Sequence, residues 1–320
     1  MPDQNAVVID LKFARSGVVE ALKTAFPGRA VIDMGDPANA GRDLSGAPYA
    51  VVWKPDPSLF DRAADLEVIF SGGAGVDHIL SAYTLPDLPV VRFVDRSLTD
   101  RMSEWVVLQC LTHLRGVLAY ARQQRERVWN ELSPQPEARD VTVGVMGLGV
   151  LGEDAVRKLK VMGFDVIGWS RRKREIEGVE TFDAGGIDAF LGRTDILVGL
   201  LPLTPDTRGL YNAALFARLR QGGALGKPVF VNAGRGGSQV EADIVAALQK
   251  GVLGGASLDV FEQEPLSPES PLWGLDNVVI TPHAAAASDV GALFRHVERQ
   301  VARFESGESL EHVVDRAAGY

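Results

Sequence analysis

Short runs of apolar, often β-branched residues recur along the chain, and they alternate with stretches whose apolar positions fall three or four residues apart. The runs are "AVVIDL" (6–11), "AVVW" (50–53), "EVIF" (67–70), "VTVGVMG" (141–147), "DVIGWS" (165–170), "DILVGL" (195–200), "PVFVNAG" (228–234) and "NVVITP" (277–282). A strand with one wet face alternates apolar and polar positions; these runs are nearly continuous, so both of their faces are covered. Such strands separated by helical patterns predict parallel sheets with helices on either side. They are too many for one compact sheet. A helical stretch from about Thr99 to Arg127, followed by the proline-rich "SPQPEARD" (133–140), separates the first three runs from the rest and reads as an interdomain element. The expected class is α/β, with two doubly wound parallel-sheet domains.

Composition narrows the partners. With 320 residues, 46% of them hydrophobic and 23% charged, the chain has the balance of a globular protein with a sizeable core. A net charge of −9 repels a polyphosphate backbone, and the longest basic cluster, Arg171 to Arg174, is too short to line a groove, so nucleic acid is not an expected partner. The first fifteen residues lack a basic-then-apolar leader, and no stretch approaches the roughly 20 apolar residues of a membrane span. A cytoplasmic protein without a membrane partner is expected. The single cysteine, Cys110, permits neither an intramolecular disulfide nor a thiolate metal cluster, and reads as a small buried hydrophobe; no metal site is expected.

The first chemical motif is "GLGVLG", in which Gly147, Gly149 and Gly152, interleaved with Leu148, Val150 and Leu151, form G-x-G-x-x-G between a strand and a helical pattern. In that context the glycines serve a tight turn, a close backbone approach to a pyrophosphate, and close helix-to-strand packing, while the helix start offers N–H groups to the anion. A phosphate-binding loop of the Walker type is excluded, because Glu153 and Asp154 follow where Lys and Ser/Thr would stand. The next strand ends near Ser170, where an adenosine ribose would lie and where an acid would accept from a free 2′-hydroxyl. Asp165 sits at the wrong end of that strand. Arg171, Arg172 and Lys173 instead offer charge-assisted donors to a 2′-phosphate, which favours NADP(H) and leaves NAD(H) open. The competing reading of "RRKR" is a solvated loop.

Three further residues follow apolar runs, where ligands bind in an open α/β sheet: Arg235 after "PVFVNAG", Glu264 after "GASLDVFEQ" and His283 after "NVVITP". Reduction of a 2-keto acid needs a clamp for the carboxylate and a proton for the developing alkoxide, tasks that suit an arginine and a protonated histidine, with Glu264 orienting the histidine. His113 and His296 read as packing or surface residues, and His78 and His312 carry no signal. Trp53, ending a strand in "VVWKP", is either core or a wall of the substrate pocket. "GASLD" lacks the second glycine of a nucleophile elbow, so a serine hydrolase is discarded.

"GLGVLG", "LPLTPDT", "NAGRGG", "LDVFEQEPL" and "ITPHAAA", in this order, resemble the D-isomer-specific 2-hydroxyacid dehydrogenases over nearly the whole chain. "SGGAGVDHIL", "DRSLTDRMSEW", "EPLSPESPLW" and "VDRAAGY" are most similar to the glyoxylate/hydroxypyruvate reductase A group of that family. The resemblance implies a Rossmann cofactor domain over 99–288 and a flavodoxin-like substrate domain over 1–98 with 289–320, the tail rejoining the first domain. It implies Arg235 as substrate clamp, Glu264 and His283 as the acid–base pair, and backbone N–H groups around Ala74 and Gly75 as donors to the substrate carboxylate. Met102, Leu201, Pro202, Thr207, Ala233 and Gly234 would border the cofactor, and Asp259 would hold the nicotinamide carboxamide. Glyoxylate and hydroxypyruvate are the implied substrates, and a homodimer formed through the long helical stretch and the segment around Trp129 is the implied assembly. Two alternatives stay open: the same chemistry on a larger 2-keto acid, and a non-catalytic nucleotide-sensing module. The glycine-rich "QGGALGKPVF" (221–230) departs from the family pattern and leaves the shape of that loop open.

Overall fold

The structure, a computed structural model, describes residues 5–13, 15–80, 83 and 85–319, so Tyr320 of the C-terminal "VDRAAGY" lies outside the described residues. The chain divides into two compact units, Met1–Leu98 with Ser288–Tyr320 and Thr99–Ala287.

The first unit is built on a five-stranded sheet of β1 (Val7–Leu11), β2 (Val31–Asp33), β3 (Tyr49–Trp53), β4 (Val68–Ser71) and β5 (Val90–Val91), in the order β2-β1-β3-β4-β5. Every pairing is parallel. This is the flavodoxin-like order, whose direction of winding reverses between β1 and β3. Leu11 and Trp53 pair in register at the end of those strands, so Trp53 stands at the reversal. The helix Val290–Glu305 returns to this unit and buries Leu293, Phe294, Val297 and Val301. Beyond it, Val314 N–H donates to Val90 O (2.8 Å) and Arg92 N–H to His312 O (3.2 Å), which ties the tail along β5.

The second unit carries seven strands: β6 (Thr142–Met146), β7 (Asp165–Trp169), β8 (Glu180–Phe182), β9 (Ile196–Gly199), β10 (Val229–Asn232), β11 (Gly255–Leu258) and β12 (Val278–Ile280). Their order, β12-β11-β10-β9-β6-β7-β8, is the Rossmann order extended by one strand, and again every pairing is parallel. The reversal falls between β6 and β9, at the glycine turn that follows β6.

The expected helical stretch 99–127 is two helices, Arg96–Leu114 and Val117–Glu126. Gly116 separates them with φ +61, a left-handed conformation that costs glycine little, and a Cβ there would lie 2.8 Å from Leu132 Cδ1. Cys110 is fully buried in the hydrophobic core of this unit together with Trp105, Val106 and Leu114. The 221–228 approach to β10 is a compact turn, closed by Gly222 N–H to Gly226 O (2.9 Å) and Gly226 N–H to Gly223 O (2.8 Å). Among the described residues no helix is long and apolar enough to cross a membrane.

Candidate active site

The glycine turn after β6 is shaped by close backbone approach. Gly147 has φ +106, and a Cβ on it would lie 2.6 Å from Leu200 O; a Cβ on Gly152 would lie 1.8 Å from Gly147 O. Neither place admits a side chain. Gly149 differs: among the described residues a Cβ there would meet nothing within 4 Å, so the approach to the start of the helix Val150–Val161 is open. That arrangement fits a dinucleotide pyrophosphate, because the first N–H groups of a helix attract an anion brought against them. Of the intervening residues, Leu148 packs into the core and its Cδ atoms would be 2.9 Å from a Cβ on Gly168, whereas Val150 is exposed. Leu151 is partly buried against the same core, and Met102, 7% exposed, is a buried member of it.

The ends of β6, β9 and β10 are stacked by the same means. A Cβ on Gly234 would lie 2.8 Å from Leu201 O, so the Leu200–Leu201 backbone is held between Gly147 and Gly234. Leu201 and Ala233 are buried. Thr207 closes its own loop, since its hydroxyl donates to Pro202 O (2.6 Å) and accepts from Thr204 N–H (2.8 Å).

β7 brings the basic run beside the glycine turn, with Gly147 N–H donating to Trp169 O at 2.9 Å. Ser170 Oγ donates to Arg172 O (2.6 Å) and shapes the turn that presents Arg171, Arg172 and Lys173, all exposed. Arg171 lies 3.4 Å from Asp206, a residue of the loop after β9. Asp165, at the opposite end of β7, accepts from Thr142 Oγ1 at 2.8 Å and is remote from the ribose position.

The catalytic candidates hang from three adjacent strand ends. His283 Nδ1 lies 3.0 and 2.9 Å from Glu264 Oε1 and Oε2, so the carboxylate grips one ring nitrogen and leaves Nε2 directed elsewhere. Phe261 N–H donates to Glu264 Oε1 at 3.2 Å. His283 has φ +53, a strained conformation for a residue with a Cβ, and Asp259 holds it there. Asp259 O accepts from His283 N–H (2.8 Å); its carboxylate accepts from Thr281 Oγ1 and from the N–H groups of Ala284 (2.8 Å) and Ala285 (3.0 Å). At 1% exposure Asp259 is spent on this loop, a task that the sequence reading missed. Arg235 follows β10, and its Nη1 donates to Gly234 O at 2.8 Å. The turn after it depends on Asn232 and Gln239, both buried: Asn232 Oδ1 accepts from Gly234 N–H (3.0 Å), Asn232 Nδ2 donates to Gln239 Oε1 (2.8 Å), and Gln239 Nε2 donates to Val260 O (2.9 Å).

In the first unit, Trp53 packs its indole 4.1 Å, centroid to centroid, from the ring of His78 and so close to Gly73 that a Cβ there would lie 2.5 Å from the indole. Ser71, buried, shapes the turn after β4 by donating to Gly75 O (3.0 Å), leaving Ala74 and Gly75 half-buried. The other histidines have structural places. His113 Nε2 meets Ser257 Oγ at 2.9 Å, and burial lowers its pKa to about 4; His296 packs against Phe93.

A Rossmann sheet with a glycine turn open to an anion, and a histidine–carboxylate pair beside an arginine at the sheet's C-terminal edge, defines the architecture of a dinucleotide-dependent dehydrogenase. The chain belongs to the D-isomer-specific 2-hydroxyacid dehydrogenase family: the model of that family's NAD-binding domain matches residues 107–285. Solved structures agree over the whole length. The chain is 68% identical to an NADPH-dependent glyoxylate/hydroxypyruvate reductase from Sinorhizobium meliloti, in complex with NADP and sulfate, with 99% and 100% of the two chains covered and a TM-score of 0.97. It is 65% identical to a probable 2-hydroxyacid dehydrogenase from Rhizobium etli CFN 42, in complex with NADP, HEPES and L(+)-tartaric acid, with coverage of 99% and 100% and a TM-score of 0.94. A D-isomer-specific 2-hydroxyacid dehydrogenase from Xanthobacter autotrophicus Py2, in complex with NADPH and MES, is 38% identical, with coverage of 99% and 100% and a TM-score of 0.91.

Proposed function

We propose that this chain reduces small 2-keto acids, glyoxylate to glycolate and hydroxypyruvate to D-glycerate, with NADPH as the preferred reductant. The observation that carries the reading is the His283–Glu264 pair on the strand end next to Arg235, and the likeness to the Sinorhizobium meliloti reductase and to the NADP complex from Rhizobium etli supports its substrate class and cofactor. Gly147, Gly149 and Gly152 with the helix start would hold the pyrophosphate, Ser170, Arg171, Arg172 and Lys173 the 2′-phosphate, and Met102, Leu201, Pro202, Thr207, Ala233 and Gly234 would border the rest. When bound, the reduced nicotinamide supplies the hydride that reaches C2 of the keto acid.

Glu264 accepts from Nδ1–H and aims the ring, so His283 Nε2–H donates the proton that the carbonyl oxygen needs. Arg235 pairs with the substrate carboxylate, a fork geometry that lysine lacks. In the first unit, the Ala74 and Gly75 N–H groups are proposed as carboxylate donors and Trp53 as a substrate-facing residue. Any contact of Asp259 with the nicotinamide carboxamide is additional to its hold on the His283 loop.

A homodimer is part of this proposal; Leu108, Val117, Val128 and Trp129, all exposed apolar residues along 108–129, support it. So is a cytoplasmic location, which suits a lone buried cysteine. Initial rates with glyoxylate, hydroxypyruvate, pyruvate and phenylpyruvate, each with NADPH and NADH, test the reading. The highest kcat/KM is expected for glyoxylate or hydroxypyruvate with NADPH. Preference for phenylpyruvate would transfer the assignment to a larger keto acid, and no oxidation of either cofactor would leave a nucleotide-sensing module.

A further inference from the structure

We propose that Glu241 and Glu262 are positioning residues that lock the Arg235 turn to the Glu264 loop, so that the substrate clamp and the proton donor move as one body. The proposal rests on the keto-acid reductase reading above. Glu241 N–H donates to Glu262 Oε1 at 2.6 Å, and Glu262 N–H donates to Glu241 Oε1 at 2.6 Å. Each carboxylate therefore satisfies the other residue's backbone. The geometry is that of a capping box, but its halves lie 21 residues apart. Glu262 stands where a cap is needed, at the start of the helix Glu241–Gln249, whose N-cap residue Val240 has no side chain able to accept.

Two contacts lie between this brace and the reacting groups. Gln239 Nε2 donates to Val260 O, and a Cβ on Gly236 would lie 1.8 Å from Phe261 O, so the two loops touch backbone to backbone directly after Arg235. Beyond the brace, Phe261 N–H reaches Glu264 Oε1, and Glu264 reaches His283. The chain of contacts runs from the turn carrying Arg235, through 239–241 and 260–262, to the acid. Two like-charged carboxylates would not be placed this close for their attraction. What holds them is the pair of N–H donors, one of them at a helix start, where negative charge is favoured.

Glu262 is exposed, so its replacement leaves the core intact and tests the brace rather than the fold. Glu262→Ala removes the cap and should lower kcat for glyoxylate and hydroxypyruvate roughly 5- to 30-fold, in line with the penalty for small displacements of reacting groups, while the KM for NADPH stays within about twofold. Glu262→Gln keeps a neutral acceptor for Glu241 N–H and should recover kcat to within about threefold of the parent. Hydrogen exchange of peptides covering 235–243 and 259–266 should quicken in Glu262→Ala and not in Glu262→Gln, a readout independent of turnover. Parent-like kcat in Glu262→Ala, a glutamine variant no better than alanine, or unchanged exchange would each overturn the proposal. A parent without keto-acid reduction would instead defeat the functional reading, with the exchange experiment still deciding whether the brace exists.

Discussion

His283 Nδ1 lies almost equidistant from the two oxygens of Glu264, at 2.9 and 3.0 Å, so the imidazole is aimed by a carboxylate and not merely packed beside one. Both side chains are partly solvent-accessible, at 38% and 26%. A proton donor that must be recharged between turnovers needs such access, whereas a structural histidine does not.

His283→Ala should therefore lose roughly 10² to 10⁴ in kcat for keto-acid reduction while the protein still binds NADPH. Glu264→Gln keeps one acceptor for Nδ1–H but loses the carboxylate's second, equivalent grip on the ring. Its kcat should fall while the KM for NADPH stays within about twofold of the parent's. A glutamine variant of parental kcat would remove Glu264 from its role.

Asp259 supplies a second expectation, since among the described residues its carboxylate hydrogen-bonds to donors only: the Thr281 hydroxyl and the N–H groups of Ala284 and Ala285. Asp259→Asn turns a buried NH₂ toward the Ala285 N–H, which Oδ2 accepts from at 3.0 Å, and removes the charge on which the three donors converge. The left-handed His283 should then relax. Stability should drop by about 1 to 3 kcal/mol, and kcat should fall with little change in the KM for NADPH. Chemical denaturation and steady-state kinetics on the same preparation check both, and an asparagine variant of parental kcat would show that His283 needs no such support.

The sheets were legible where strands are long and buried on both faces, as in β1, β3, β6, β7 and β9. β2, β5 and β8 escaped because they are two- or three-residue strands, and β11, "GASL", was read only as an apolar run before Glu264 because it lacks the β-branched residues that advertise a strand. The helical stretch 99–127 is legible as helical, but its division is not, because one glycine within a helical pattern is an ambiguous signal and only the left-handed turn at Gly116 settles it. At the site, Arg235, Glu264 and His283 were visible as polar residues directly after apolar runs. Their supports were not. Asn232, Gln239, Glu241 and Glu262 act through backbone groups that tertiary structure alone brings near, and no spacing in the sequence marks them.

His296 offers an acid-stability test. It is 4% exposed, its Nε2 has no hydrogen-bond partner among the described residues, and burial, with Arg299 and His312 nearby, lowers its pKa to about 4 from an ordinary 6.5. The unfolded chain thus binds the proton more readily between those values. The stability contributed is complete above about pH 6.5 and is lost as the pH falls toward 4. His296→Leu should remove about 2 kcal/mol of the stability difference between pH 7 and pH 5. Urea midpoints at the two pH values measure it; an unchanged difference would mean that His296 is already solvated in the folded protein.

The cofactor preference rests on exposed charge, and that sets its size. Arg171 and Arg172 stand at the end of β7 beside the glycine turn, in the place where an acid would select a free 2′-hydroxyl. Arg171 already faces Asp206 at 3.4 Å, and at 42% and 75% exposure the pair is a weak one that a phosphate can displace. Replacing both arginines by alanine should raise the KM for NADPH and leave that for NADH nearly unchanged. The discrimination lost should be about 1 to 3 kcal/mol, below that of two fully formed charge-assisted bonds because water screens both side chains. In the parent enzyme, added salt should weaken NADPH binding more than NADH binding, since charge alone distinguishes the two. A double variant whose ratio of kcat/KM for NADPH over NADH stays within about twofold of the parent's would reduce "SRRK" to a solvated loop, and the cofactor would then have to be chosen elsewhere in the site.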